Sequence, residues 1–214
     1  MSQYIKIFSP YGAFGAISYI AVKDNAAVMI DAAGNNAEVF RYLEENNIRL
    51  EKILLTHGHT DHIAGLAEAA ARSGAEVYIS KEDRPLLSDN YLNLSEFFGI
   101  PPAAEYSGGV IEVEDGSDID FHGEKINVVS VPGHTKGSVL YNLGDIIFSG
   151  DTLFLESVGR TDMPGGGNAE LMKSLEKIKS LFGNGEYQVL SGHTPPTTMA
   201  HEIAENPFFR RTGA

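Results

Sequence analysis

Four apolar runs in this chain each pass through one or two small residues and stop at a potential metal ligand. Ile53-Leu54-Leu55-Thr56 meets His57, and Val128-Val129-Ser130-Val131-Pro132-Gly133 meets His134. Ile146-Ile147-Phe148-Ser149-Gly150 meets Asp151, and Val189-Leu190-Ser191-Gly192 meets His193. Short apolar runs bounded by small residues read as buried strands. Strands that end at one rim bring their terminal residues together, whatever their separation along the chain. The pattern therefore calls for sheets whose ligand-bearing ends share a rim.

Composition narrows the class further. With 214 residues, 43% hydrophobic and 21% charged, the chain reads as an ordinary globular protein. A core of this size needs no disulfides, since folding buries roughly 70% of the unfolded surface. There is no cysteine, which removes thiolate ligands and cysteine nucleophiles. The net charge of −13 and the lack of a basic run argue against a nucleic-acid partner. Met1-Ser2-Gln3-Tyr4-Ile5-Lys6 lacks the basic start and apolar centre of a signal peptide. No run approaches the ~20 apolar residues of a membrane span. We expect a cytoplasmic protein with no membrane partner, a monomer or small homo-oligomer.

The expected elements alternate. Ala16 to Val22 and Ala27 to Ile30 flank Lys23-Asp24-Asn25, a hairpin signal. A helix over 35–47 places Val39, Phe40 and Leu43 on one face, and Glu51 to Leu55 is a buried strand. Ile63, Leu66, Ala67, Ala70 and Ala71 recur at helical spacing up to a cap at Gly74. A strand at Val77 to Ile79 precedes a helix over 81–99, which Pro101-Pro102 breaks. Gly108 to Val131 reads as successive strands with turns at Asp115-Gly116 and His122-Gly123. Val139 to Leu143 and Ile146 to Phe148 form a hairpin around Gly144-Asp145. Leu171, Leu175, Ile178 and Leu181 mark a long helix, Tyr187 to Leu190 a last strand, and 199–205 a final helix. No Pro- or Ser-rich linker interrupts the series, so one domain over 1–214 is expected. Each half has a hairpin ending in Asp (Asp31, Asp151), then a helix, then a strand ending in His (His57, His193). That echo predicts an α/β fold of two similar packed sheets with outer helices.

The first ligand run continues as His57-Gly58-His59-Thr60-Asp61-His62. In an extended segment His57 and His59 point the same way, and Gly58 lets the turn tighten. Asp61 and His62 open the following helix, where they face a second ion. Neutral imidazole and carboxylate suit zinc, iron or manganese. Our assignment gives His57, His59 and His134 to one ion and Asp61, His62 and His193 to the other. Asp151 bridges the pair together with a hydroxide. Two ions about 3.5–4 Å apart activate such a water and stabilise a developing oxyanion. Asp31 is either an acceptor that orients one of these ligands or a turn residue before Ala32-Ala33-Gly34. His122, in a turn, and His201, on an exposed helix, receive no role.

At these residues the chain resembles the metallo-β-lactamase superfamily. The carriers are Thr56-His57-Gly58-His59-Thr60-Asp61-His62, Pro132-Gly133-His134-Thr135, Ser149-Gly150-Asp151-Thr152-Leu153-Phe154 and Ser191-Gly192-His193. The resemblance implies an αβ/βα four-layer sandwich of two packed mixed β-sheets with outer helices, two metal ions at the rim (zinc first), and the ligand set above. Gly159-Arg160-Thr161-Asp162 and the tail from Thr197-Thr198 to Asn206-Pro207-Phe208 make it most similar to short bacterial glyoxalase II-like proteins. Those hydrolyse thioesters such as S-lactoylglutathione by attack of a metal-bridging hydroxide. Arg160 falls where such enzymes hold the glutathione carboxylate, a task suited to guanidinium; a structural ion pair with Asp162 is the competing role.

The chain departs from glyoxalase II in three ways. No C-terminal helical domain of the kind that completes glutathione binding is expected, Asp162 replaces a tyrosine, and Thr194-Pro195 stands where another is expected. Lys136 and Lys81 offer other anion contacts, as do Arg210-Arg211. Asp151 and the absence of Cys rule out the cysteine-ligand class of β-lactamase. The expected activity is thioester hydrolysis, with Asp61 steering the water or taking its proton. A mononuclear-iron persulfide dioxygenase is the alternative, and a non-enzymatic metal-binding module the third option.

Overall fold

A computed structural model describes residues 4–8, 15–34, 36–98 and 106–211. The Pro101-Pro102 break and the Arg211 side chain lie outside the described residues. The chain divides into two compact units, Met1–Val113 and Glu114–Ala214.

The first unit runs β1 (Tyr4–Phe8), β2 (Ser18–Lys23), β3 (Ala26–Ile30), α1 (Ala37–Glu45), β4 (Arg49–Leu54), α2 (Thr60–Ile63), α3 (Leu66–Ser73), β5 (Glu76–Ser80), α4 (Ser95–Phe98) and β6 (Ile111–Val113). They form a six-stranded sheet in the order β1-β2-β3-β4-β5-β6. β2 and β3 are antiparallel, joined through Asp24 and Asn25 at φ 50° and 60°. Two consecutive left-handed residues make the tight hairpin turn that Asp and Asn tolerate. β3, β4, β5 and β6 are parallel neighbours. Parallel pairing demands crossovers; α1 and the α2–α3 segment supply two of them. Ile20, Val22, Met29, Ile53, Val77 and Ile79 pack with Val39, Phe40 and Leu43 of α1 and Leu66 of α3. Each such side chain contributes roughly 1.5–3 kcal/mol on burial.

Two helices differ from expectation. The helix expected from Ile63 onward is split, with Gly65 between α2 and α3. A Cβ on Gly65 would lie 2.2 Å from the Gly34 carbonyl oxygen and 2.3 Å from Asn36 Nδ2. The segment after β3 approaches so closely that only glycine fits, and the helix restarts beyond it. The expected helix over 81–99 is instead a 3-10 turn at Arg84–Leu87 and the single turn α4. Between them Asp89 Oδ1 accepts the Tyr91 and Leu92 amides, and Leu94 sits at φ 70°. Both features compete with a continuous helix.

The second unit runs β7 (Asp118–Phe121), β8 (Glu124–Ser130), β9 (Val139–Leu143), β10 (Ile146–Gly150), β11 (Leu153–Phe154), β12 (Ser157–Val158), α5 (Asn168–Phe182), β13 (Gln188–Ser191), β14 (Thr197–Thr198), α6 (Met199–Glu205) and α7 (Pro207–Arg211). Its six-stranded sheet has the order β14-β13-β10-β9-β8-β7. β7 to β10 are antiparallel, whereas β10 and β13 are parallel with α5 as crossover. Leu175, Ile178 and Phe182 of α5 pack with Val129, Leu140, Ile147 and Val189. Leu181, expected on that face, is 53% exposed, and Phe182 takes the inner position. No helix among the described residues is long and apolar enough to cross a membrane.

Candidate metal centre

In the first unit the candidate ligands leave β4 and enter α2. His57, His59 and His62 are buried, and Asp61 is partly so. The His57 ring lies 4.8 Å from that of His59 and 4.1 Å from that of His62, centroid to centroid. His59 caps α2 in an extended conformation, so Asp61 and His62 fall in its first turn, with His62 Nε2 3.9 Å from Asp61 Oδ2.

Asp31 organises this group. Its Oδ1 accepts the Thr56 amide at 2.8 Å, and its Oδ2 accepts the Thr56 hydroxyl and His62 Nδ1, both at 2.8 Å. A carboxylate can only accept, so His62 carries its proton on Nδ1. The Thr56 hydroxyl spends its own proton on Asp31, so at 3.1 Å it accepts from His57 Nδ1. Both rings are thereby left with Nε2 as the basic nitrogen. Asp31 thus ties the Thr56 segment to His62, and it also makes the turn after β3, at φ 56°.

In the second unit β10 ends at Gly150, whose φ of 50° turns the chain into Asp151. Asp151 Oδ2 lies 3.5 Å from His134 Nε2 and 3.3 Å from His193 Nε2. Both separations exceed a good N–H···O bond of about 2.7–3.2 Å. Each separation matches a pair of ligands on a tetrahedral ion, whose bonds of about 2.0–2.1 Å set its ligand atoms about 3.3–3.4 Å apart. His134 Nδ1 donates to the Arg160 carbonyl at 2.8 Å, which again leaves Nε2 basic. The His193 ring meets Phe154 edge-on, centroids 6.1 Å apart. By spacing and donor type these residues fit a divalent metal, and zinc, iron and manganese all suit the set.

The side chains of the remaining sequence candidates make other contacts. Arg160 is exposed and makes a two-pronged pair with Asp162 at 2.7 and 2.8 Å. Hydrogen bonding to that guanidinium holds the Asp162 carboxyl down to about 2. This is the structural ion pair weighed for Arg160. Lys136 is exposed on the turn after His134. His122 sits at φ 51° in the β7–β8 turn, and His201 pairs with Glu156 at 2.9 Å.

Sequence reading did not find several residues that shape the centre. Buried Asp83 accepts the Gly58 amide at 3.0 Å, pinning the peptide between His57 and His59. The Asn93 carbonyl accepts the Thr60 amide at 2.8 Å. Gly159 is pressed against Asp151, since a Cβ there would lie 1.8 Å from the Asp151 carbonyl oxygen. Asp83 had one available signal, an acid three residues beyond an apolar strand; a backbone carbonyl has none.

Comparison with known proteins places the chain in a family. A family model described as the metallo-β-lactamase superfamily matches residues 11–193. A probable metallo-hydrolase, YqgX of Bacillus subtilis (strain 168), is 34% identical over 93% of this chain and 94% of its own. The hydroxyacylglutathione hydrolase GloC of Haemophilus influenzae is 30% identical over 86% of this chain and 87% of its own. Among solved structures, the BLEG-1 B3 metallo-β-lactamase superposes with a TM-score of 0.89 at 31% identity, covering 96% of this chain and 99% of that one. TTHA1623 in a di-iron-bound form gives 0.82 at 29% identity, with the same coverage.

Proposed function

Because the chain belongs to the metallo-β-lactamase superfamily, we propose that it is a binuclear metallohydrolase that cleaves S-acyl thioesters. The observation that carries this reading is Asp151 Oδ2 lying at ligand spacing from two imidazole nitrogens at once. His57, His59 and His134 would hold one ion and Asp61, His62 and His193 the other, with Asp151 as the ligand they would share. Such ions supply a water activated near neutral pH and positive charge facing the substrate carbonyl oxygen. Asp61, partly exposed beside His62, would steer that water or take its proton. The departing thiolate needs no strong general acid. Similarity to a hydroxyacylglutathione hydrolase supports a thioester as substrate class. Glutathione itself is less favoured as carrier, because Asp162 already engages the Arg160 guanidinium.

Zinc is the first choice of metal from the ligand set, and the di-iron neighbour supports iron as the other. Two sets of ligands favour hydrolysis over the one-iron persulfide dioxygenase, for which Asp61 and His62 would be superfluous. The test combines metal analysis with a screen of S-lactoylglutathione, non-glutathione thioesters and a chromogenic β-lactam. Two ions per chain and thioester turnover that His59→Ala or Asp151→Ala abolishes in a folded protein are expected. Less than one tightly bound transition metal per chain, or full activity in either variant, would defeat the assignment.

A further inference from the structure

Glu202 is a carboxylate with no exposed surface, carried on α6 near the end of the described chain. Its Oε1 accepts the Thr197 hydroxyl at 2.7 Å. Its Oε2 accepts the Glu156 amide at 2.9 Å and Asn206 Nδ2 at 2.8 Å. Asn206, equally buried, also donates Nδ2 to the Ser157 carbonyl at 3.0 Å. Two buried side chains, one on α6 and one at the Asn206 cap that follows it, therefore grip the β11–β12 hairpin at consecutive residues, Glu156 and Ser157. A buried charge is costly unless fully hydrogen-bonded. Here three neutral donors satisfy it, which makes the arrangement geometrically demanding.

That hairpin adjoins the segments that carry the candidate ligands of its unit. It begins two residues after Asp151, and Ser149 Oγ donates to the Leu153 carbonyl at 2.7 Å. Its turn residue Leu155 donates its amide to Thr194 Oγ1 at 3.0 Å, beside His193. It leaves through Gly159 into Arg160, whose carbonyl holds His134 Nδ1. Glu156, at the grip, is held at φ 53°, a strained angle for a side-chain-bearing residue.

We propose that Glu202 is a positioning residue for the metal centre: with Asn206 it locks the β11–β12 hairpin, and the hairpin sets His134, Asp151 and His193 at ligand spacing. The inference rests on those three residues being ligands. Its test reads cobalt(II) in place of the native metal, by chelator competition and visible ligand-field absorption. Glu202→Gln puts an amide among three donors, and Asn206→Ala removes the bond to Ser157; either variant keeps the question open if the other fails to fold. Ile178→Ala, an apolar deletion in α5 of the same unit, is the control for lost stability. The expected result is about tenfold weaker cobalt binding with a shifted band in Glu202→Gln and Asn206→Ala, against wild-type affinity and spectrum in a destabilised Ile178→Ala. Wild-type cobalt affinity and spectrum in folded Glu202→Gln would overturn the inference, as would losses no larger than those of Ile178→Ala. If the wild-type protein itself takes up no cobalt, the metal centre fails before Glu202 is at issue.

Discussion

Replacing Gly159 by alanine adds one carbon atom and should disable the centre. Gly159 does not sit at a positive φ, so its backbone conformation suits alanine. The space does not. An added Cβ would stand 1.8 Å from the Asp151 carbonyl oxygen, 2.9 Å from its carbon and 3.1 Å from His134 Nδ1. Real Cβ atoms essentially never come within 3.0 Å of such neighbours. Backbone beside Asp151 must then retreat by about 1 Å, because a close-packed interior has no slack to absorb it. Overpacking of this kind costs about 1–3 kcal/mol. The functional loss is the larger effect: metal–ligand bonds tolerate about 0.2 Å, and a 1 Å misplacement costs about 10²-fold in rate. Metal content after gel filtration, thioester turnover and the melting temperature should all fall. Gly109→Ala is the matched control, since a Cβ there meets nothing within 4 Å; it should leave all three unchanged. A Gly159→Ala protein with wild-type metal content and turnover would refute the argument.

Three further outcomes are expected. Asp31→Asn turns an NH2 group either toward the Thr56 amide or toward the Thr56 hydroxyl and His62 Nδ1, donors that need an acceptor there, and should weaken metal binding about 10–100-fold by isothermal titration. Asp83→Ala strips the Gly58 amide of its acceptor and should cost about 1–3 kcal/mol in urea unfolding, while Asp83→Asn, which keeps an acceptor oxygen, should recover most of that loss. Asp162 should titrate near pH 2 by carbon-13 NMR, and Arg160→Gln should return it toward the ordinary 3.8. Since the folded value is depressed, the stability this pair contributes is present above about pH 4 and is lost as pH falls through about 2. An Asp162 midpoint indifferent to Arg160→Gln would contradict the cause assigned to the shift.

Much of this arrangement was legible in the sequence, for identifiable reasons. His57, His134, Asp151 and His193 each follow an apolar strand, so periodicity and a terminal ligand marked them together. The β2–β3 hairpin announced itself through Asp24 and Asn25, and α6 came out as Met199–Glu205 as expected. The helix over 81–99 was misjudged because its composition is helical, while Pro85 and the Asx turn at Asp89 act locally against it. The split at Gly65 was invisible for a different reason: it depends on contact with Gly34 and Asn36, some thirty residues earlier. The supports of the centre were hardest to see. Asp83 and Glu202 act through backbone amides of distant segments, and the Arg160 carbonyl belongs to a position whose side chain suggested a quite different job.

The two acids that end corresponding strands show how little backbone geometry separates a support from a candidate ligand. Asp31 follows β3 and itself takes the left-handed turn, at φ 56°, with its amide bonded to Leu54 of the adjacent parallel strand. In the second unit that turn comes one residue earlier, at Gly150, whose carbonyl accepts the Gly192 amide of the adjacent parallel segment. The acid that follows is therefore past the bend rather than in it. Asp31 points back to the Thr56 amide and hydroxyl and to His62 Nδ1. Asp151 instead presents Oδ2 to the Nε2 atoms of His134 and His193. Glycine costs least in a left-handed conformation and aspartate is among the few others that tolerate it. A shift of one position in the left-handed residue, available only to these residue types, is enough to give the same side chain either role.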